Sequence, residues 1–406
     1  MTEARPRILY IAHRVPFPPD KGDRIRNYHV LRQLSRIGDV SLACLADEPV
    51  SGETKAELNR LCRDVAIVPV PGLSRWIRAG ASVLGGRSLS EGAFRVPALA
   101  TVLADWQRSR PFDAAVVSAS SLAPYLRRNG LDRVPGFVDI VDCDGQKWFD
   151  FADAVSGPKR WLYRLEGRRV QRLEREIATW AAACTLVSRA EADLFDRTVG
   201  EGSATVATNG VDLDYFQPNS TEEDLTCAFV GALDYFPNVD AAKWFAEMVW
   251  PRIRERHPMA EFRLIGRKPT ATVTKLGTIP GVNVVGQVPD VRPYVASSAA
   301  CVVPMRLSRG LQNKVLESLA MGKATVASPP ALAAIRAEPG RDLIRAESPD
   351  EWVTAVCQLF ENPGRRRELG DAGRRYVEAN HDWETCVRPL TELIESACRT
   401  EPVGVA

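Results

Sequence analysis

This 406-residue sequence predicts two α/β domains, each a parallel sheet wound on both faces by helices. Three observations carry that prediction. The chain is longer than one hydrophobic core usually serves. Short continuous apolar runs alternate with helical patterns, the signature of strands buried on both faces. The alternation halts at the turn-rich Thr208-Asn-Gly-Val-Asp212 and then starts again.

In the first set, Arg7 to Ala12 reads as a strand. A helix follows from about Arg24, with Ile25, Tyr28, Leu31 and Leu34 on one face and Gly38 at its end. Asp23 stands where an N-cap is expected. Val40–Leu45, Val65–Val68, Ala114–Ser118, Phe137–Val141 and Cys184–Val187 read as further strands. In the second set, Cys227–Val230 precedes an aromatic-rich helix through Trp244, Phe245 and Met248. Phe262–Ile265, Val282–Val285, Ala300–Val303 and Thr325–Ala327 continue that sheet. Helices close the chain from about Gly364 to Ala379 and from Trp383 to Cys398. The expected division is a first domain over 1–205, a second over 206–380, and a last helix over 381–406 crossing back onto the first. Ligands of such sheets bind beyond the carboxyl ends of the strands, so two such domains are expected to face each other across a cleft lined by those loops.

Composition narrows the function. A formal net charge of +2 argues against a dedicated nucleic-acid binder. No apolar run approaches the roughly 18 residues that span a bilayer, and the amino terminus lacks a secretory apolar segment. The nine cysteines are scattered, and none forms a Cys-x-x-Cys pattern. Reduced thiols packed as small hydrophobes, in a cytoplasmic protein, is the reading.

The loop after Val303 carries the strongest chemical signal. Gly310 lets backbone approach a ligand. Asn313 and Lys314 open a helix whose apolar face is Val315, Leu316 and Leu319 and whose stop is Gly322. Unpaired N–H groups and partial positive charge at its start, with the Lys314 cation, suit a diphosphate. Glu317, three residues further on, can accept hydrogen bonds from both hydroxyls of a ribose. The plain alternative is a solvated i,i+3 pair on a surface helix.

Gly310 to Gly322, with Lys-Ala-Thr-Val-Ala-Ser after it, resembles the donor motif of family-four retaining glycosyltransferases of the GT-B fold. The amino-terminal Ile8 to Asn27, the Thr-Asn-Gly-Val-Asp segment and Phe229-Val-Gly-Ala-Leu-Asp-Tyr-Phe-Pro-Asn238 fit the same group. Together with Val141-Asp-Cys-Asp-Gly-Gln-Lys-Trp148, they are similar to the sugar transferases of exosortase and exopolysaccharide loci. The resemblance implies transfer from a nucleoside-diphosphate sugar to a glycan or lipid-linked acceptor, with retention of configuration and no metal. Lys314 and Glu317 match the diphosphate- and ribose-binding positions, and Gly22 matches the glycine lying against the donor from the first domain. The family's sugar-facing glutamate would fall eight residues before Glu317, where Arg309 stands. The family's Arg and Lys after the first strand of the second domain are absent from Gly231 to Asn238, so Arg309 or Arg267 is expected to assist Lys314.

On the acceptor side the family's histidine after the fourth strand is replaced by Ser118-Ala-Ser-Ser121, which brings forward Ser120. Asp142 and Asp144 are the nearest candidates for acceptor binding, with Asp142 as base, and His13 after the first strand could touch the acceptor. His29 reads as structural. The Asp-x-Asp spacing also admits a metal reading, which motif spacing alone supports weakly. The basic Lys159 to Arg175, with Leu73 to Arg78, reads either as a solvated face or as a peripheral contact with an anionic membrane. A non-catalytic nucleotide-sugar-binding or assembly subunit and a GT-B-shaped sugar epimerase are the rival functions.

Overall fold

The computed structural model describes residues 5–70, 72–219, 221, 224–308 and 310–399. The chain divides into two compact units, Met1–Ala207 with Val387–Ala406, and Thr208–Cys386.

The first unit is built on seven strands: β1 Arg7–Ala12, β2 Asp39–Ala46, β3 Asp64–Pro69, β4 Ala114–Ser118, β5 Gly136–Val141, β6 Ala183–Leu186 and β7 Ala204–Val206. They lie in the order β3-β2-β1-β4-β5-β6-β7, every pairing parallel. β1 is central and fully buried from Ile8 to Ala12, with Ile8 opposite Val40 on one side and Ala114 on the other. Continuous apolarity is what a strand covered on both faces requires. The order reverses between β1 and β4, which makes the ends of those strands the topological switch point.

The second unit repeats the plan with β8 Asp224–Val230, β9 Glu261–Ile265, β10 Val282–Gly286, β11 Ser298–Val303, β12 Thr325–Ala327 and β13 Ile344–Arg345. Their order is β10-β9-β8-β11-β12-β13, again all parallel. Here the switch point falls between β8 and β11, at the loop holding Gly231 and the loop leading to Gly310. Trp250 and Trp352 are the largest buried apolar side chains of this unit.

Two helices depart from expectation. The first begins at Gly22, not Arg24, and its N-cap is Lys21 with extended backbone. Asp23 therefore does not cap it; its carboxylate is taken by side chains described below. The aromatic-rich helix is not continuous either: Phe236–Trp244 runs through a π-turn at Phe245–Val249 into Trp250–Arg256. Pro251 has no N–H to donate back along the helix, and the wider turn accommodates that missing bond. The closing helices are Pro363–Asn380 and Trp383–Arg399.

Candidate functional site

The carboxyl end of β11 delivers the chain through a loop to the helix Asn313–Ala320. Gly310 takes φ 63°, and Gly322 closes the far end at φ 65°, both in the left-handed region that favours glycine. The N-cap, Gln312, has extended backbone and makes no side-chain cap, so the first turn is not closed off by its own sequence. Arg309 lies outside the described residues. Asn313 does not stand free at the helix start: its side-chain oxygen accepts a 3.2 Å hydrogen bond from Asn209, a buried residue of the linker.

Lys314 is held from three sides. Its Nζ donates to Asn238 Oδ1 at 2.7 Å, reaches Met305 Sδ at 3.7 Å and Gln312 Oε1 at 3.4 Å, and lies 5.5 Å from the Phe229 ring centre. Burial pulls its pKa down to about 8, against the opposing pull of Glu317. Glu317 shows the mirror effect: burial pushes its carboxyl up to about 7, and Lys314 draws it back. Next to the pair is a narrow recess walled by Phe216, Val230, Val291, Val295 and Met321. A cation and a carboxyl three residues apart on one helix turn, beside an apolar recess, suit a ligand with an anionic part and a hydroxylated part.

Asn238 is a residue that sequence reasoning missed. It is 5% exposed, and its Nδ2 donates to Ala232 O at 2.9 Å, which aims Oδ1 at the lysine. Its signal was present: an asparagine in the first turn of a helix that follows the loop after β8, in a segment noted only for lacking cations. Two glycines complete the arrangement. A Cβ on Gly231 would come within 2.9 Å of Asn238 Nδ2 and 3.4 Å of Lys314 Cε. Gly266, with φ 153°, lies against the Gly231 carbonyl so closely that a Cβ would stand 1.8 Å from its oxygen. That approach draws the loop after β9 alongside the loop after β8, with Leu233 N donating to Arg267 O at 3.0 Å. Arg267 thus belongs to the same loop cluster. It is half-buried, and its Nε has no hydrogen-bond partner among the described residues.

In the first unit, the ends of β1, β4 and β5 carry the predicted acceptor-side residues. His13 Nε2 lies 3.2 Å from Asp23 Oδ2, and Arg14 donates to the same oxygen at 2.8 Å. Burial alone would raise the Asp23 carboxyl, but His13 and Arg14 together hold it well below the usual range. This engagement is why Asp23 does not cap its helix. Gly22, one residue earlier, is exposed. Ser120 is 2% exposed, starting a short 3₁₀ turn behind Ala119. Ala119 and Val141 both have positive φ, 80° and 72°. Such conformations are strained for a β-branched residue, and strain of this kind gathers at functional sites.

Asp142 follows that strained valine. Burial, then Glu191, raises its carboxyl to about 6, and its buried Oδ1 has no hydrogen-bond partner. Asp144 is also raised by burial and lies 3.8 Å from Lys147. Around them, Glu191 accepts from Cys143 N at 2.9 Å and Glu174 from Gly145 N at 3.0 Å, with Glu174 raised by burial to about 8. Sequence reasoning also missed the brace beneath: fully buried Arg26 binds Asp139 in a two-pronged pair, both contacts 2.7 Å, and Thr185 Oγ1 donates to the same carboxylate. It fixes the first helix against β5. His29 is buried and packs edge-on to Tyr28.

Comparison with known proteins agrees with the fold. Residues 224–362, about a third of the chain, match the family described as glycosyl transferases group 1. An uncharacterized glycosyltransferase of Methanocaldococcus jannaschii is 28% identical over 88 residues, which span 21% of this chain and 22% of that protein. Among solved structures, sucrose-phosphate synthase from Thermosynechococcus elongatus superposes with a TM-score of 0.71 at 16% identity, covering 97% of this chain and 99% of that one. HepE of Anabaena, solved in complex with UDP and glucose, gives 0.69 at 12% identity, covering 96% and 100%. The chain has the GT-B fold of these glycosyltransferase structures, and its second unit carries the group 1 family match.

Proposed function

We propose that this GT-B chain transfers a sugar from a nucleoside-diphosphate sugar to a glycan or lipid-linked acceptor, with retention of anomeric configuration, in exopolysaccharide biosynthesis on the cytoplasmic side. The observation that carries the reading is the half-buried Lys314 and Glu317 in the first turns of the helix Asn313–Ala320, beside the recess, with Lys314 braced by Asn238. Ribose hydroxyls donate to Glu317, and the diphosphate meets Lys314 and the N–H groups of the helix start. Donor phosphate favours the charged lysine, and hydroxyl donors favour the ionised Glu317, so ligand binding offsets the burial that perturbs both. The departing diphosphate is stabilised by the same groups, with Arg309 and Arg267 as the further cations. The presence of UDP in the HepE complex supports a nucleoside diphosphate as the ligand class. In the first unit, Asp142, whose Oδ1 has no hydrogen-bond partner among the described residues, would accept from an acceptor hydroxyl, with His13, Ser120 and Asp144 as the other acceptor-side candidates.

A second reading, a nucleotide-sugar-binding or assembly subunit without turnover, is favoured by one observation: Arg309 stands where the resembling family places its sugar-facing glutamate. Incubation with UDP-, GDP- and ADP-sugars separates the two. Transfer predicts release of nucleoside diphosphate that falls at least about a hundredfold in Glu317→Ala and Lys314→Ala with the fold intact. Thermal stabilisation by a nucleotide, with no release from any of these donors, would refute catalysis and favour the binding subunit.

A further inference from the structure

The helix Gly72–Leu84 leaves one face without a partner. Trp76 is 72% exposed, Ile77 65% and Leu84 91%. At about 100° per residue these three share one arc of roughly 140° with the exposed Gly80 and Ala81. No residue in that arc is charged. The opposite side is packed: Ala79 is buried, and Gly92 lies so near that an added Cβ would meet Ala79 Cα at 2.9 Å. Exposed large apolar side chains in such an arrangement mark an interaction surface.

The surrounding charge identifies what it fits. The helix carries Arg75 and Arg78 and no acid, and both arginines are held at its flanks: Arg75 over the Phe94 ring at 4.9 Å, Arg78 to Ser74 Oγ at 2.9 Å. The helix Pro158–Ala178 is stitched to the end of this one, Arg169 donating to Val83 O at 3.1 Å and Arg87 O at 3.0 Å. Its first turns expose Trp161, at 68%, beside Lys159, while Arg160 and Arg164 both pair with the exposed Asp153. The carboxylate of that stretch, Glu166, is buried and spent on the backbone N–H groups of Leu89 and Ser90. An apolar, tryptophan-bearing face bordered by cations is complementary to an anionic bilayer surface. Two copies of so basic a face repel each other. Among the described residues no helix is long and apolar enough to cross a membrane, so contact would lie in the interface plane.

We propose that this face docks the first unit on an anionic lipid bilayer, with Trp76, Ile77 and Leu84 entering the headgroup–acyl boundary and the flanking cations meeting lipid phosphates. The proposal stands independently of sugar transfer. It narrows the contact expected from sequence to the helix that holds Leu73 to Arg78: Arg164 is paired with Asp153 and Arg172 with Glu176, whereas Trp76, Ile77 and Leu84 are exposed.

The test is co-sedimentation of the full chain with phosphatidylcholine vesicles with and without phosphatidylglycerol. The expected result is binding that requires phosphatidylglycerol, weakens with salt, and falls about a hundredfold in the W76S/I77S/L84S variant. An unchanged UDP thermal shift in that variant shows that the fold persists, because the substituted side chains are exposed. Equal binding by variant and wild type overturns the proposal, as does wild-type indifference to phosphatidylglycerol. Self-association abolished by the variant, without vesicle binding, also overturns it and assigns the face to a second copy.

Discussion

Replacing Lys314 by methionine should make the protein more stable and a worse ligand binder. Burial lowers the lysine pKa from 10.5 to about 8, so holding its charge in the folded state costs about 3 kcal/mol at neutral pH. The sign follows from proton occupancy. At pH 7 lysine is protonated in both states, and only the folded one loses hydration. Above pH 8 the folded lysine sheds its proton, and the cost fades until about pH 10.5, where the unfolded lysine does the same. Methionine keeps the length and removes the charge. Against that gain stand Asn238 Oδ1, left without its 2.7 Å donor at about 1 kcal/mol, and Glu317, left without its counter-charge. The net expectation is a gain of about 1–2 kcal/mol at pH 7, shrinking toward pH 10. Loss of a charge-assisted hydrogen bond to phosphate weakens UDP about ten- to hundredfold, while uridine affinity holds. Urea unfolding at both pH values and calorimetric titration with UDP and uridine measure these effects. A variant less stable than wild type, or one that binds UDP as tightly, refutes the account of Lys314.

The other expectations are briefer. Glu317 titrates near about 7, so UDP affinity should fall as pH drops through that value, and Glu317→Gln should flatten the fall; an unchanged profile would mean the carboxylate does not meet the ribose. Because its folded pKa is raised, Glu317 contributes a decline in stability from about pH 4.5 to 7, so the same variant should make the slope shallower in urea unfolding, Asp142 and Glu174 supplying the remainder. Gly266→Ala places a Cβ 1.8 Å from the Gly231 oxygen and should cost at least about 2 kcal/mol and weaken UDP, whereas Gly286→Ala, at φ 76° with nothing within 4 Å, should cost about 1. Equal losses in chemical denaturation would show that the close approach is not what fixes these loops. Asp142→Asn should slow transfer about ten- to hundredfold with UDP affinity unchanged, and should remove the acid limb near pH 6. A matching loss of UDP affinity would contradict an acceptor-side role.

How far the sequence could be read follows the range of the forces involved. The long buried strands announce themselves because every residue is apolar, as in Ile8 to Ala12. β7 and β13, at three and two residues, are too short to make a run, and only pairing with β6 and β12 defines them. The loops that bear the site were legible for a topological reason: strand–helix alternation puts every such loop at the carboxyl edge, and β8 and β11 meet at the switch point. The π-turn at Phe245 was not legible. It places Phe245 against Phe262 at 4.8 Å and Trp352 at 5.6 Å, residues distant in the chain that no local pattern connects. The same holds for Asp23, which reads as a cap until the fold brings His13 and the Arg14 guanidinium to it, and the charge-assisted bond from Arg14 is stronger than one from a backbone N–H.

The donor-side pair shows what a motif contains and what it leaves to the fold. Spacing alone places Lys314 and Glu317 on one turn, but it cannot say whether they face solvent or a site. Burial decides that, by moving both pKa values toward neutrality, and the wall that buries them comes from Phe216, Val230, Val291, Val295 and Met321 on four separate stretches of chain. The brace on Lys314 comes from Asn238, in the segment where the resembling family carries cations. An amide there orients the ammonium without cancelling its charge, as an aspartate would, and without repelling it, as an arginine would. A chain with fewer cations beside its diphosphate position has reason to keep Lys314 fixed and its charge uncancelled by a neighbouring anion. A neutral acceptor at 2.7 Å does both.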